Sequence, residues 1–232
     1  MAEKIKYTRK DLKGPDEFLS AFGRAIEWTK ENRSAVLAVA LGVLVLFGGV
    51  FGAQAYFRWE ENKATRDLWP HLNRAREVMQ APTAADAEKL SNLERILTTH
   101  VKEHPKTTAA VYAMYYLGNI AFIQGNYGMS EAHFRAAIQA GKLGDIMPFL
   151  LRKGLAQALE AKGDFAAATD AYRDAASVAG GELRVQAQIG QARTMDIAGR
   201  KQEAAALLGQ ILMETTDAGT KEFIEIKLAQ SE

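Results

Sequence analysis

A run of apolar residues near the N-terminus places the strongest constraint on this chain of 232 residues. From Ala35 to Ala53 the sequence AVLAVALGVLVLFGGVFGA contains no charged or polar side chain. A helix rises about 1.5 Å per residue, so about 20 apolar residues cross the roughly 30 Å hydrocarbon core of a bilayer. The run and its flanks therefore predict a transmembrane helix over residues 34–57.

A signal peptide is the alternative interpretation of the same run. The small residues of Ala53-Gln54-Ala55 match the spacing at which signal peptides are cleaved. A signal peptide has an apolar core of about 7–15 residues and a total length of about 15–30 residues. Here the apolar run begins only at residue 35, behind a charged tail. This length favours an anchor that stays in the protein.

The residues before the span form a short, basic tail over residues 1–33. The flank after the span is basic as well, so the charge difference between the two sides is small. Short tails follow the positive-inside tendency, whereas long domains cross the membrane largely regardless of charge. We therefore predict a cytoplasmic N-terminus and a domain over residues 58–232 on the outer side. The basic residues of the tail are Lys4, Lys6, Arg9, Lys10, Lys13, Arg24, Lys30 and Arg33.

The tail also contains an amphipathic pattern. Pro15 suits the first turn of a helix, and apolar residues then recur on one helical face. The pattern predicts a helix lying in the lipid headgroup region, with Trp28 at the interface. A short solvated helix before the span is the alternative. The predicted face consists of Phe18, Phe22, Ala25, Ile26 and Thr29.

Small residues recur within the span at a spacing that suits helix–helix contact. Gly48 and Gly52 lie four residues apart, and so do Ala38 and Gly42. Such spacing lets two helix backbones approach closely within lipid. We therefore predict packing at Gly42, Gly48 and Gly52, and one candidate partner is a second copy of the chain in a homo-oligomer.

The net charge and the amino-acid composition argue against several classes of partner and site. The formal net charge is +1, which gives no electrostatic basis for a nucleic-acid partner. The chain has no cysteine, so disulfides, thiolate metal sites and a cysteine nucleophile are excluded. Five prolines and frequent alanine and leucine predict a helical domain after the span, and its length suffices for a sizeable core.

One motif invites a catalytic interpretation. The segment from His100 to His104 fits H-x-x-E-H, in which histidines one turn apart share a zinc ion. A catalytic zinc site also needs a third ligand and a pocket, and the sequence identifies neither. Histidine is favoured at the C-terminal end of a helix, and Pro105 follows directly. We therefore interpret the motif as a polar helix end and predict no catalytic residue, metal or cofactor.

Residues 58–105 predict a first antiparallel helix pair. The span helix is expected to end, and Asp67 is a candidate N-cap for a new helix with Pro70 in its first turn. Thr83 and Asp86 match a capping box for the second helix, which Pro105 ends.

The chain after this pair repeats one pattern three times. Gly125, Gly163 and Gly199 align as turn residues between two amphipathic helices. Small residues stand seven before and five after each glycine, where they let paired helices touch. Large apolar residues stand nine after each glycine and fill the space between units. The repeats cover residues 109–144, 149–180 and 185–214; their small residues are Gly118 and Ser130, Ala156 and Ala168, and Ala192 and Ala204, and their large residues are Phe134, Tyr172 and Leu208.

This pattern resembles the tetratricopeptide repeat (TPR), a helix–turn–helix unit of about 34 residues. The resemblance is clearest in the first two repeats, where Tyr127 and Phe165 stand at the aromatic position after the turn. The third repeat departs from it at Gln191, Lys201 and Ile211. A last helix over residues 220–230, capped by Thr220, is expected to cover the apolar edge. We therefore predict an all-α fold with one N-terminal transmembrane helix and a TPR-like α-solenoid.

In stacked helix pairs of this kind, the first helix of each pair lines the concave side. The residues predicted there combine aromatic rings with a few polar groups, which suits a peptide or a partner helix. The alternative is that some of the tyrosines only pack between units. The predicted groove residues are Tyr112, Tyr115, Asn119, Phe122, Lys153, Gln157 and Arg193.

The whole architecture resembles a bacterial family, the YfgM-like ancillary subunit of the SecYEG translocon. The matching features are the span entered through Glu31-Asn32 and left through Arg58-Trp59, and the TPR-like domain after it. The resemblance implies a single-pass protein of the bacterial inner membrane with a periplasmic domain. It further implies a non-catalytic adaptor that associates with SecYEG and a periplasmic foldase. The alternative is a scaffold for cytochrome maturation, wall synthesis or outer-membrane biogenesis.

Overall fold

The computed structural model describes residues 14–80, 86–141, 144 and 146–230. Within these ranges the regular structure is α-helical and contains no β-strand, so the all-α prediction is confirmed. The chain divides into two compact units, Met1–Arg58 and Trp59–Glu232. The basic residues from Lys4 to Lys13 and the predicted capping residue Thr83 lie outside the described residues.

In the first unit, α1 (Gly14–Glu31) is followed by α2 (Arg33–Gln80), with one residue between them. Helical hydrogen bonds continue across the junction, because Asn32 N donates to Trp28 O (2.9 Å) and Val36 N donates to Asn32 O (3.0 Å). The large apolar side chains of α2 from Leu37 to Phe51 are exposed. By length and composition, α2 is apolar enough to cross a membrane.

Helix α2 corrects one prediction. No new helix begins at Asp67, because α2 continues through Pro70 to Gln80. Proline removes one backbone hydrogen bond from a helix, but side chains on both sides of it are held by packing. Leu68 and Leu72 are 2% and 5% exposed and belong to the same apolar core as residues of the next two helices.

The second unit continues as a series of helices in which successive members pack against each other. Helix α3 packs on α4, and three pairs follow as α4–α5, α6–α7 and α8–α9. The first helices of these pairs are also neighbours, α4 with α6 and α6 with α8. The bounds are α3 Ala87–Glu103, α4 Thr108–Ile123, α5 Tyr127–Ala140, α6 Met147–Ala161, α7 Phe165–Ser177, α8 Gly181–Ile197, α9 Lys201–Glu214 and α10 Ala218–Gln230.

The turn inside each pair is made by the predicted glycine. Gly125, Gly163 and Gly199 have φ angles of 77°, 83° and 81°, in the left-handed region that residues with a Cβ atom rarely adopt. The next backbone N–H reaches back to close the helix; Asn126 N, for example, donates to Ala121 O (2.8 Å). The prediction of these turns is confirmed.

The predicted small residues lie where paired helices touch. Ser130 is fully buried, and its hydroxyl donates to the backbone oxygen of Gly118 (2.8 Å). A Cβ atom on Gly118 would lie 2.8 Å from the ring of Phe134, closer than van der Waals contact permits. In the second pair, Ala156 and Ala168 are 0% exposed. The close approach predicted from the repeat pattern is therefore confirmed in both pairs.

Two further glycines, absent from the predicted pattern, set the distance between pairs. A Cβ atom on Gly154 would lie 2.5 Å from the Phe134 ring of the preceding pair, and one on Gly190 would lie 2.6 Å from Tyr172. Both rings are almost fully buried, at 1% and 3% exposure. The large residues of the first two pairs therefore pack against the backbone of the next pair's first helix, as the predicted filling between units requires. Leu208, the large residue of the third pair, is half-buried.

The ends of two helices differ from the predicted caps. Helix α10 begins at Ala218, and the carboxylate of Asp217 accepts a hydrogen bond from Thr220 N (2.7 Å). Asp217 is therefore the capping residue, and Thr220 lies inside the helix; this bond also lowers the pKa of Asp217. Asp86 precedes α3, but its carboxylate binds Lys89 (2.7 Å) and makes no capping bond.

Candidate protein-binding surface

The predicted groove residues on α4 are half-buried and pack partly within the domain. The Tyr115 ring contacts Tyr116 edge to face (centroids 5.3 Å apart) and is tilted against Phe134 (6.2 Å). Burial raises the pKa of Tyr115. Asn119 donates its side-chain amide to Tyr115 O (2.8 Å), and Phe122 is tilted against Tyr127 (5.4 Å). The α4 part of the groove therefore consists of aromatic edges held in place by packing.

Tyr112 extends this surface onto α2. It lines an open groove of about 340 Å³ together with the side chains of two helices. Trp69, at the centre of the α2 side, is 56% exposed. A wide apolar groove with an exposed indole fits the kind of side chain that anchors protein interfaces. The remaining lining residues are Glu61, Thr65, Leu68, Leu72, Thr108 and Ala109.

Trp69 was not among the predicted groove residues, because the groove was predicted only on the first helices of the three repeats. The spacing of Leu68 and Leu72 sets the buried face of this segment and leaves Trp69 beside it. At the mouth of the groove, Glu61 accepts hydrogen bonds from Thr108 N (2.8 and 3.1 Å), which satisfies the start of α4.

The predicted groove residues on α6 are polar. Lys153 donates to Gln186 Oε1 on α8 (2.7 Å) and lies 5.9 Å from the ring centroid of Phe149. Burial lowers the pKa of Lys153. Gln157, one turn further along α6, is exposed. The surface therefore changes from aromatic on α2 and α4 to polar on α6.

Arg193 on α8 binds Glu160 rather than standing free. Its Nε and a terminal nitrogen donate to the two carboxylate oxygens at 2.8 and 2.7 Å. The Tyr172 hydroxyl donates to the same carboxylate (2.9 Å) and accepts from Arg193 (3.2 Å). Burial and the adjacent carboxylate raise the pKa of Tyr172. We call these three residues the Glu160 cluster; it joins the second pair to the third.

Glu160 was also missing from the predicted groove. It stands 38 residues after Phe122, the spacing of the first two repeats, so the alignment would have placed it on the same face. An aromatic residue of the first repeat is replaced by a carboxylate at that position of the second.

The two histidines of the H-x-x-E-H segment lie at the end of α3. His104 Nδ1 contacts Glu60 Oε1 on α2 (2.5 Å), and the rings of the two histidines are 4.9 Å apart. Among the described residues, no group of three or more histidine, aspartate or glutamate side chains is placed to hold a metal ion. Nε2 of His100 is buried and has no hydrogen-bond partner. The segment thus joins α3 to α2.

The glycines predicted to pack within the membrane have no neighbour in the described part of the chain. A Cβ atom built on Gly42, Gly48 or Gly52 would meet no atom within 4 Å. Any packing there needs another molecule, so the predicted contact stays a prediction.

No protein-family model matches the sequence, and no curated protein matches it. Among solved structures, the chain is similar to the nearly identical TPR-like repeats of a Podosopora anserina protein described as a kinesin light chain. That match has 18% identity and a TM-score of 0.59, and it covers 72% of this chain and 86% of the other. YrrB, a TPR protein with an unusual peptide-binding site, matches at 16% identity and a TM-score of 0.49, over 74% and 83%. The first of these two matches shows that the fold of the chain is similar to that of TPR-like repeats.

Proposed function

We propose that this protein is a non-catalytic adaptor that is anchored in a membrane by α2 and binds other proteins through the predicted groove. The observation that carries the proposal is the groove between α2 and α4, which is lined by the exposed Trp69 and by Tyr112. Aromatic residues in partly desolvated grooves are common anchors of protein interfaces. The Glu160 cluster and Lys153 supply the polar end of the same surface.

The resemblance to the YfgM-like family supports a more specific proposal. The protein would lie in the bacterial inner membrane with its second unit in the periplasm, next to SecYEG and a periplasmic foldase. There it would assist proteins as they leave the translocon. The alternative is the same kind of scaffold in cytochrome maturation, wall synthesis or outer-membrane biogenesis, because a groove of this kind does not specify its partner.

Photo-crosslinking of the full chain in a bacterial host tests the binding surface and the partner together. Benzoylphenylalanine replaces Trp69 in one variant and Gln157 in another, and Met129 on α5, which is 55% exposed, serves as the control position. We expect adducts with translocon or foldase subunits at the first two positions and none at the control. Adducts with another envelope assembly would support the alternative. Equal labelling at all three positions would exclude the groove.

Cysteine labelling tests the anchor and its orientation. Because the natural chain has no cysteine, Glu27→Cys and Lys221→Cys each give a single reactive site. In intact spheroplasts, a membrane-impermeant maleimide should label Lys221→Cys, whereas Glu27→Cys should react only after lysis. A mature chain that starts at Tyr56 and is released by carbonate washing would instead identify a cleaved signal peptide.

A further inference from the structure

Helix α1 has an exposed apolar face. Phe22 and Ile26, one turn apart on this face, are 60% and 43% exposed. Ala25 and Thr29 lie on the same face, because residues three or four apart share one side of a helix. The Thr29 hydroxyl donates to Ala25 O (2.7 Å), so its polar group is already satisfied inside the helix. This face can therefore leave water without losing a hydrogen bond.

The opposite side of α1 is charged. Arg24, Glu27 and Glu31 are all exposed and lie away from Phe22. They carry both signs, so attraction to anionic lipid contributes little on this side. Burial of the apolar face is then the main driving force for attachment to a bilayer surface.

The position of α1 in the chain identifies what can cover this face. Phe22 precedes Ala35, the first residue of the apolar run, by 13 residues, about 20 Å along a continuous helix at 1.5 Å per residue. The headgroup layer is only about 5–8 Å thick on each side of the bilayer. If α1 continued straight from the span, Phe22 and Ile26 would stand in water.

Asn32 is the point where α1 can turn. It lies outside both helices, between Glu31 and Arg33. Its side-chain amide donates to Trp28 O (3.0 Å), the same oxygen that accepts its backbone N–H. The last turn of α1 is therefore held closed by Asn32 itself. A change of direction after Asn32 would break the bond from Val36 N to Asn32 O and leave the bonds within α1 intact.

We infer that α1 lies along the surface of the membrane that α2 crosses, with Phe22, Ala25, Ile26 and Thr29 in the headgroup–acyl boundary. The inference rests on the proposed membrane anchor. The bilayer is favoured over a second copy of the chain because it is within reach of every molecule whose α2 is inserted.

Spin labels in the full chain test this arrangement. Ala25→Cys and Thr29→Cys report on the apolar face without removing Phe22 or Ile26, while Glu27→Cys and Glu31→Cys are matched reporters on the charged side. Each labelled protein is reconstituted into vesicles of phosphatidylethanolamine and phosphatidylglycerol. Its accessibility to oxygen, which concentrates in lipid, is compared with its accessibility to a water-soluble nickel complex.

We expect the oxygen-to-nickel accessibility ratio to be several-fold higher at Ala25→Cys and Thr29→Cys than at Glu27→Cys and Glu31→Cys. Equal ratios at all four sites, with full access to nickel, would overturn the inference. Spin–spin broadening at Ala25→Cys that disappears on dilution with unlabelled protein would assign the face to a second copy and would also overturn it. Leu44→Cys separates the two proposals: a low oxygen-to-nickel ratio there would refute the membrane anchor itself.

Discussion

The ring of Phe134 lies between two glycines that belong to different helix pairs. Gly118 is on the helix paired with its own, and Gly154 is on the first helix of the next pair. The ring of Tyr172 lies in the same way against Gly190, which is on the first helix of the next pair. At the residue scale, the distance between pairs is therefore set by the contact of an aromatic ring with the backbone of a glycine. This contact leaves no room for one added methyl group.

Gly154→Ala should destabilise the domain although alanine is the better helix former. The new Cβ atom would lie 2.5 Å from the Phe134 ring, and overpacking of this kind typically costs about 1–3 kcal/mol. Gly209→Ala in α9 is the matched control, because its Cβ atom would meet nothing within 4 Å; it should gain up to about 1 kcal/mol. Thermal unfolding followed by circular dichroism in detergent compares the two. Equal effects of the two changes would contradict the packing argument.

His100 should make the stability of the second unit depend on pH. Burial and the neighbouring His104 and His71 lower the pKa of His100, and Asp67 and Glu103 only partly oppose this. Protonation is then easier in the unfolded chain, so stability falls as the pH drops below the ordinary histidine pKa of about 6.5.

We therefore expect the unfolding temperature of the natural chain to decrease between about pH 7.5 and about pH 5.5, the range in which an unfolded histidine titrates. His100→Asn should weaken this decrease. His133 in α5 contributes in the same direction, since burial lowers its pKa as well, and His133→Asn measures that share separately. An unchanged pH profile in His100→Asn would show that this ring does not titrate with folding.

At the scale of elements, α2 serves two purposes along one helix. Its first part is exposed and apolar, whereas its last turns supply Leu68, Leu72 and Ala75 to the core of the second unit. Trp69 lies between these buried residues in sequence and remains exposed. Neighbouring residues on one helix therefore divide between the core of the second unit and the surface that we propose for binding.

Two substitutions at adjacent positions should separate these purposes. Leu68→Ala removes a side chain that is 2% exposed and should destabilise the domain by about 2–5 kcal/mol. Trp69→Ala should change stability by roughly 0.5 kcal/mol or less, as exposed positions do, and should abolish crosslinks from Gln157. The measurements are urea unfolding and the yield of adducts. Full crosslinking in Trp69→Ala would remove Trp69 from the binding surface.

The helix pairs could be predicted from the sequence because each carries its own local signal. A turn glycine, a small residue on either side of it and a large residue further on are short-range patterns, and Gly125, Ser130 and Phe134 fulfil them. Gly154 and Gly190 were missed, since their neighbours are rings from another pair. Both stand nine residues before the turn glycine of their repeat, and this shared position was the signal that could have identified them.

The errors at helix ends have a common cause. Pro70 suits a first turn by its fixed φ angle, but the apolar core around Leu68 and Leu72 outweighs that preference. Thr220 and Asp217 are both good capping residues, and only the geometry shows that the carboxylate of Asp217 forms the bond. The groove was incompletely predicted for a different reason, because its residues were assigned only to the first helices of the three repeats, and Trp69 lies on α2.

At the scale of the whole molecule, the second unit holds its own core. Apolar clusters join α2 with α3 and α4, and α4 with α5, α6 and α7. We therefore expect a fragment of residues 59–232 to be soluble without detergent and to unfold cooperatively, while the full chain stays with membranes. Size exclusion and circular dichroism of the purified fragment provide the measurement. An aggregated or unfolded fragment would show that the domain needs its N-terminal unit.

Helix α10 packs against α9 and buries one large side chain, Ile224. A terminal element with so small a share of the core opens more readily than the rest of the molecule. Backbone amides of α10 should consequently exchange with deuterated water earliest in the second unit, and those of α4 and α6 latest. Fraying from this end would uncover Leu208 and Ala204 while the aromatic groove at the other end keeps its shape.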